Sequence, residues 1–282
     1  MTMQAGTDTT QATATLLTGR AVLRLNGRDS RDFLNNLVTS DIEKLQPGEG
    51  GFAALLSPQG KILFDFFVTP DGDGLLIDCN AAQAADLAKR LGFYKLRADV
   101  RISDESANLA VAVTVEEPPP AQALAFRDPR HPGLGWRVIG PPDELDQIGA
   151  EAGGEDIYAA RRIALGVPES GVDFAYGDTF PHEANMDWLH GVDFTKGCYI
   201  GQEVVSRVEH RGTARKRFVR VGFTGPAPAS GAEVKIGDVV IGQMGSSAGN
   251  TGLALLRLDR LEGATAPVTV NETTLSVHHD RA

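Results

Sequence analysis

The chain of 282 residues is long enough to bury a sizeable core and to form one to three domains. Its 42% hydrophobic and 23% charged residues are ordinary for a globular protein, and its net charge of −10 argues against direct nucleic-acid binding. No apolar run reaches the length that spans a bilayer, so we expect no membrane partner.

The first predicted element is a tail. Residues 1–15 are rich in Thr, Ala and Gln, and they lack both the apolar core of a secretory signal and the arginines of a mitochondrial transit peptide. We therefore expect a disordered N-terminal tail over residues 1–15 and a cytoplasmic location.

The next hundred residues predict a region of mixed strands and helices, of the α+β class. A strand at 21–25 ends at an Asn-Gly turn, and a helix begins near Asp29, whose side chain suits an N-cap. Residues 51–56 and 61–68 predict a hairpin around a four-residue connection. The same patterns predict further strands at 75–79, 94–102 and 109–115, and a helix at 81–91.

The pattern changes near residue 210. Before it, three prolines predict a break at 116–120, and residues 155–165 predict a helix that stops at Gly166. After it, short apolar runs are divided by Gly, Pro, Ser and Asn, which predicts a small all-β module. We therefore separate an α+β region at 16–210 from a β module at 211–282.

The two cysteines, Cys79 and Cys198, give neither a disulfide framework nor a structural zinc site. Two free thiols in a reducing compartment are favoured over one long-range disulfide. This chain alone cannot supply the four thiolates of a typical iron–sulfur site, so a cluster held here would need ligands from elsewhere. His182, Glu183 and His190 lack the spacing of a helical zinc site, and we predict no metal site.

Residues 196–203 are the most informative stretch of the chain. Cys198 lies between two glycines and two residues after Lys196. Glycines allow a sharp turn or a close approach to a ligand, and a nearby cation favours the thiolate over the thiol. A helix over 202–209 would add its N-terminal dipole. The segment therefore predicts a displayed reactive thiol, although a small apolar core residue remains the alternative.

The eight residues at 196–203, Lys-Gly-Cys-Tyr-Ile-Gly-Gln-Glu, resemble the signature of the YgfZ family. These proteins are folate-binding relatives of the glycine-cleavage T-protein, an aminomethyltransferase, and they act in the assembly or repair of iron–sulfur proteins. The resemblance implies a T-protein-like cloverleaf of ferredoxin-like α/β units, with two intertwined subdomains over 16–210 and a small β-barrel over 211–282. It extends to residues 21–29, 32–41, 56–62, 162–168 and 180–185.

The resemblance also implies a cofactor and site residues. Tetrahydrofolate, possibly polyglutamylated, would be the cofactor, and Cys198 with Lys196 would be the reactive pair. The T-protein carries its catalytic carboxylate in an Asp-Asp doublet where this chain has Phe64-Asp65, and it has Asp at the position of Cys198. Both departures put aminomethyl transfer in doubt, and they leave the role of Asp65 open. The folate contacts that the resemblance offers are Asn36, Thr39, Tyr94, Arg97, Glu183, Asn185, Tyr199, Gln202, Glu203 and Arg207.

A basic run follows the signature. Residues 207–220 hold five arginines and Lys216 against a single carboxylate, Glu209. Arginines there would suit the glutamate tail of a folate or an acidic protein partner, and a solvated surface is the alternative.

Three functions remain open at this point. The first is a tetrahydrofolate-binding protein that supports iron–sulfur proteins through Cys198, with folate and transiently bound assembly or client proteins as partners and an indirect effect on tRNA modification. The second is a folate-dependent aminomethyl- or methyltransferase that uses Asp65. The third is a non-catalytic adaptor that uses the 207–220 surface. Whether the chain is an enzyme is left open.

Overall fold

Three sheets and six α-helices make up the part of the chain that the structure, a computed structural model, describes: residues 14–119, 123–212 and 214–278. The strands are β1 (Ala14–Leu16), β2 (Arg20–Asn26), β3 (Gly51–Leu56), β4 (Ile62–Asp71), β5 (Gly74–Asn80), β6 (Arg101–Asp104), β7 (Ala110–Thr114), β8 (Leu124–Arg127), β9 (Trp136–Gly140), β10 (Ala150–Glu151), β11 (Lys216–Gly222), β12 (Glu233–Ile236), β13 (Val239–Ala248), β14 (Thr251–Arg257), β15 (Val268–Val270) and β16 (Thr273–His278). The helices are α1 (Ser30–Asn35), α2 (Ala84–Tyr94), α3 (Pro142–Gln147), α4 (Glu155–Ala164), α5 (Gln202–Arg211) and α6 (Leu258–Leu261). None of these helices is long and apolar enough to cross a bilayer.

The first sheet has the strand order β3-β4-β5-β2-β6, with antiparallel neighbours throughout. Alternation along β5 points Ile77 and Cys79 toward a core with residues of α1 and α2, and points Leu76 and Asp78 to the opposite face. That opposite face belongs to a central core, which also takes in Phe218 of the barrel. The sheet is therefore buried on both sides, and Cys79 is a packed core residue.

The second sheet has the order β10-β1-β7-β9-β8. Its strand β1 pairs antiparallel with β7 and parallel with β10. The prediction of a disordered tail is therefore wrong for Ala14 and Thr15, which the ladder holds on both sides, and its remainder, residues 1–13, lies outside the described residues. Because the first sheet is inserted between β1 and β7, the two sheets are intertwined along the chain.

The third sheet is a closed six-stranded barrel in the order β11-β14-β13-β12-β15-β16. Its own core contains Val219, Val221, Ile241 and Leu256, which alternate with outward residues. The strands run from residue 216 to residue 278, inside the predicted β module. The predicted C-terminal barrel is confirmed, although the described residues of the module also include the short helix α6.

One predicted strand, at 94–102, is wrong. Helix α2 runs on to Tyr94, a turn follows, and strand β6 begins only at Arg101. Leu96 adopts a φ of 44° and is 90% exposed, so the alternating apolar and basic residues here belong to a surface turn. The elements that sequence reasoning missed are β1, β8, β9, β10, α3 and α6.

A buried network of charges joins the first two sheets. Asp78 of β5 accepts hydrogen bonds from Arg20 Nε at 2.5 Å and from Arg137 Nε at 2.9 Å. The Arg137 guanidinium lies 3.9 Å from the centroid of the Phe67 ring. Beside it, Arg130 forms a two-pronged pair with Asp128. A buried charge must be paired to avoid a large desolvation cost, so this network fixes how the sheets meet.

Candidate functional site

Within the signature, Cys198 is exposed while the two residues that follow it pack against the interior. Tyr199 packs into the central core and Ile200 packs against the core of the first sheet, whereas Cys198 is exposed. Cys198 lies four residues before the first residue of α5, as the sequence predicted. Cys79 is buried and unpaired, so the expectation of two free thiols is confirmed. Cys198 is thus a solvent-facing thiol at the beginning of a helix.

Gly201 sets the turn between the thiol and α5. Its φ is +80°, a left-handed conformation that favours glycine. A Cβ at this position would lie 2.5 Å from the carbonyl oxygen of Ser57 and 3.1 Å from Cα of Gly60. Glycine therefore lets the signature pack against the tip of the β3–β4 hairpin. Gly197, by contrast, has open space around it.

Lys196 anchors the signature rather than pointing a donor at the thiol. Its Nζ donates to the backbone carbonyls of Asn35, Val38 and Ser40 at 2.6, 2.7 and 2.8 Å. An ammonium has three donors, so these bonds use all of them. Burial lowers the pKa of Lys196 to about 8, against the attraction of nearby carboxylates. Lys196 therefore ties the thiol segment to the loop after α1.

Asp193 closes the turn before the signature. Its Oδ1 accepts from the backbone N–H and the hydroxyl of Thr195 at 2.7 and 2.6 Å, and from the backbone N–H of Lys196 at 3.1 Å. Its Oδ2 accepts from Lys44 at 2.9 Å. Burial pushes the pKa of Asp193 upward, but the bonds from Thr195 and Lys44 outweigh it and lower the pKa to about 2. The carboxylate form is therefore part of the local structure.

Asp65 lies in a different environment from Cys198. It is half-buried, with Ser170 and Tyr176 as hydrogen-bond donors to its Oδ1. Burial raises the pKa of Asp65, which the bond from Ser170 and the charge of Arg20 only partly offset. The cavity beside it has a volume of about 20 Å³. That volume is enough for about one water, whereas pockets for drug-sized ligands measure about 300 Å³ or more. In this conformation the cavity beside Asp65 is therefore too small for a pterin.

The ten predicted folate contacts do not line this cavity. Thr39 is buried and bonded to the Gly191 carbonyl and the Ala54 N–H, so its polar atoms serve the loop packing. Asn185 is buried, with its Nδ2 bonded to the Phe218 carbonyl and its Oδ1 without a hydrogen bond among the described residues. The others are at the surface, half-buried, or part of the signature: Asn36, Tyr94, Arg97, Glu183, Tyr199, Gln202, Glu203 and Arg207. Their roles toward tetrahydrofolate stay a prediction.

His182, Asp187 and Glu209 bring one potential ligand atom each within 4.8 Å of one another, a grouping that their spacing did not reveal. The Asp187 carboxylate is already engaged by Arg217, whose guanidinium donates to both of its oxygens at 2.8 and 2.6 Å. His182 Nε2 lies 3.2 Å from Glu209 Oε2. The arrangement links α5 and β11 to the loop before the signature, and we assign it no metal.

The basic run at 207–220 divides into two groups. Arg217 is buried with Asp187, and Arg220 is half-buried with a bond to the Ala164 carbonyl. Arg211, Arg215 and Lys216 are exposed. The interpretation of the run as a single surface is therefore wrong for Arg217, which has a structural role.

Comparisons with known proteins agree with this architecture. The family model of the CAF17 C-terminal beta-barrel domain matches residues 215–280. The human protein named iron-sulfur cluster assembly factor IBA57, mitochondrial, is 32% identical over 278 residues, which cover 88% of this chain and 78% of that protein. An IBA57 homolog from Pyricularia oryzae is 33% identical, over 90% of this chain and 74% of its own length.

The fold prediction is confirmed by a solved structure. Glycine cleavage system aminomethyltransferase T from Bartonella henselae superposes with a TM-score of 0.77 over 96% of this chain and 86% of that chain. Its sequence identity is 15%, so the likeness concerns the fold alone. The T-protein-like α+β architecture with a C-terminal β-barrel therefore stands, and the relatives with higher identity are named IBA57 rather than YgfZ.

The predicted cytoplasmic location is wrong. The human, Pyricularia and mouse relatives are all named as mitochondrial proteins. Two free thiols indicate a reducing environment, but they do not indicate which compartment provides it. The cellular location was therefore not predictable from the cysteine content.

Proposed function

Since the chain belongs to the IBA57 family of iron–sulfur cluster assembly factors, we propose that it supports the assembly or repair of iron–sulfur proteins through the thiol of Cys198. The observation that carries this proposal is that Cys198 is exposed although Lys196 and Tyr199, which anchor the same segment, are buried. Free cysteine is among the most buried residue types, so the exposure of Cys198 indicates a role for its reactivity rather than for packing.

The thiol acts together with a partner. Iron–sulfur clusters are held by about four protein ligands, and Cys198 is the one exposed thiol of a chain with two cysteines. Cys79 cannot assist, because it is buried in the core that the first sheet forms with α1 and α2, and burial raises its pKa to about 12. Cys198 therefore contributes one sulfur, as a transient ligand, to a site completed by another protein.

The residues around Cys198 hold this sulfur in place. Lys196 fixes the start of the segment through three carbonyls, and Gly201 fixes its end against the β3–β4 hairpin. A thiol held between two anchors loses less conformational freedom when it binds, which lowers the entropic cost of forming the complex. Asp193 stabilises the turn that leads into the segment.

Tetrahydrofolate has no step in this proposal. The fold is one that an aminomethyltransferase uses, but the cavity beside Asp65 does not fit a pterin. Aminomethyl transfer by Asp65 is therefore the weaker candidate. Calorimetric titration with tetrahydrofolate tests the point directly, and saturable heat would bring folate back into the account.

The proposed function is tested in cells that lack this protein. We expect wild-type protein and a Cys79→Ala variant to restore the activity of cluster-dependent enzymes, and Cys198→Ala to restore none of it. Protein levels measured by immunoblot exclude loss of folded protein as the cause. Normal enzyme activity with Cys198→Ala would refute the role of the thiol.

A further inference from the structure

We propose that a second surface, at the opposite end of α5 from Cys198, docks an acidic face of the protein partner that meets the thiol. We call this surface the basic end, and it consists of Arg211, Arg215, Lys216 and Arg260. The inference rests on the proposed function in one respect: it takes the partner to be a protein that reaches Cys198.

The basic end is assembled by the fold from two distant stretches of sequence. In the barrel, Lys216 of β11 lies opposite Arg257 of β14. The N–H of Leu258, the first residue of α6, donates to the carbonyl of Arg215 at 2.8 Å. Contact with Arg257 lowers the pKa of Asp259, and Arg260 and Arg215 contribute to the same shift. Arg215 thus contacts the start of α6, the helix that carries Arg260, although 45 positions separate the two arginines in the chain.

The four cations of the basic end have no carboxylate within 4.0 Å among the described residues, whereas neighbouring cations do. Arg207 pairs with Glu203, Arg217 with Asp187, and Arg257 with Asp259. Lys216 also faces Arg257 directly across an antiparallel pair, an arrangement of like charges that destabilises a sheet. These charges therefore do not serve the fold, which points to an anionic ligand outside it.

Charge favours a protein over a nucleic acid as that ligand. Removing these four cations from a chain of net charge −10 leaves −14 on the remainder. A long polyanion would be repelled by that remainder, because nucleic-acid binding depends on neutralising many phosphates. A protein with a compact acidic face is attracted at the basic end and repelled elsewhere, which orients the encounter and raises its rate.

The length of α5 sets the geometry of the complex. The helix has ten residues, which correspond to about 15 Å between its ends. Cys198 precedes the first turn, and Arg211 closes the last. A partner that uses both features must therefore carry its acidic face about 15 Å or more from the atom that meets the sulfur.

The test uses reaction of the intact protein with synthetic peptides that carry an activated cysteine. In each peptide the cysteine forms a mixed disulfide with 2-thiopyridine. The Cys198 thiolate attacks the peptide sulfur, a new S–S bond forms, and 2-thiopyridone leaves with the electron pair of the broken bond, so its absorbance reports the rate. Only Cys198 reacts, since Cys79 is buried.

Three peptides separate docking from simple reactivity. The first joins the activated cysteine to a run of about six glutamates through a spacer of about eight Gly and Ser residues, which spans up to about 27 Å when extended. The second lacks the spacer, and the third replaces the glutamates with glutamines. We expect the spaced acidic peptide to react about tenfold faster than the glutamine peptide at low salt, and to lose that advantage near 1 M salt, where the Debye length is about 3 Å.

Charge-reversal variants locate the effect. The double variant Lys216→Glu/Arg260→Glu should abolish the rate advantage, whereas Lys89→Glu/Arg90→Glu, which reverses two exposed cations of α2, should reduce it by less than twofold. Equal loss in both variants, or an equal advantage without the spacer, would overturn the proposal. A single-stranded oligonucleotide that competes better than polyglutamate of equal charge would assign the basic end to nucleic acid instead and overturn the choice of a protein. These rates do not depend on cluster assembly in cells, so failure here and failure of the Cys198 complementation test are separate results.

Discussion

The interior network and the end of α5 use charge in opposite ways. Between the first two sheets, Arg20 and Arg137 share Asp78, and Arg130 pairs with Asp128. At the end of α5, Arg211, Arg215 and Lys216 are exposed without a carboxylate in contact among the described residues. A buried charge has to be paired for the chain to fold, so its partners report on architecture. An exposed charge without a partner contributes little to folding, so its presence reports on encounters with other molecules.

The largest expected effect comes from breaking the interior network. Asp78→Asn leaves Arg20 and Arg137 buried without a countercharge, and we expect a loss of about 3 to 5 kcal/mol in the free energy of unfolding. Urea unfolding followed by circular dichroism measures it. The control is Glu203→Gln, which breaks the exposed pair with Arg207 and should cost less than about 1 kcal/mol. Similar losses in the two variants would contradict the contrast between the regions.

The next effect concerns the backbone beside the thiol. Gly201→Ala places a Cβ against the Ser57 carbonyl at a φ of +80°, and we expect a loss of about 1 to 3 kcal/mol. Gly197→Ala, directly before Cys198 and in open space, should change stability by less than about 0.5 kcal/mol. Thermal unfolding of both variants is the measurement. A costly Gly197→Ala beside a neutral Gly201→Ala would show that the turn is held differently.

The smallest expected effect depends on pH. Asp193 has a pKa of about 2 in the folded chain and 3.8 as its ordinary value, so the folded state favours the carboxylate. Its contribution, about 1 to 2 kcal/mol, is present above pH 4 and is lost as the pH falls from about 4 to about 2. The stability difference between wild type and Asp193→Asn should therefore shrink across that range. A constant difference for Asp193→Asn would argue against the stabilised carboxylate.

Sequence patterns predicted the elements with strong local signals. The β3–β4 hairpin, α4, the barrel strands and the display of Cys198 before a helix were all found, because turn residues and periodicity are local properties. The strand expected at 94–102 failed because an exposed turn can carry the same alternation of apolar and basic residues as a strand. Strand β1 was missed because three residues between two neighbours have too little pattern of their own.

The partners of the charged side chains were not predictable from spacing. Asp78 and Arg137 lie 59 positions apart, and only the meeting of the two sheets brings them together. The carbonyls that hold Lys196 come from residues 35–40, at the end of α1, so its role as an anchor depends on tertiary packing. The basic end likewise requires the barrel register that places Lys216 opposite Arg257 and brings the start of α6 against Arg215.

We propose that the chemistry of this protein lies at the exposed thiol of Cys198 and not in the interior. A reconstitution of a purified cluster-free [4Fe–4S] enzyme with iron, sulfide and a thiol reductant tests it most directly, with the rate of recovered enzyme activity as the measurement. We predict that wild-type protein accelerates recovery, and that Cys198→Ala, folded and equally stable, leaves the rate at its value without added protein. Acceleration by Cys198→Ala equal to that of wild type would contradict the claim.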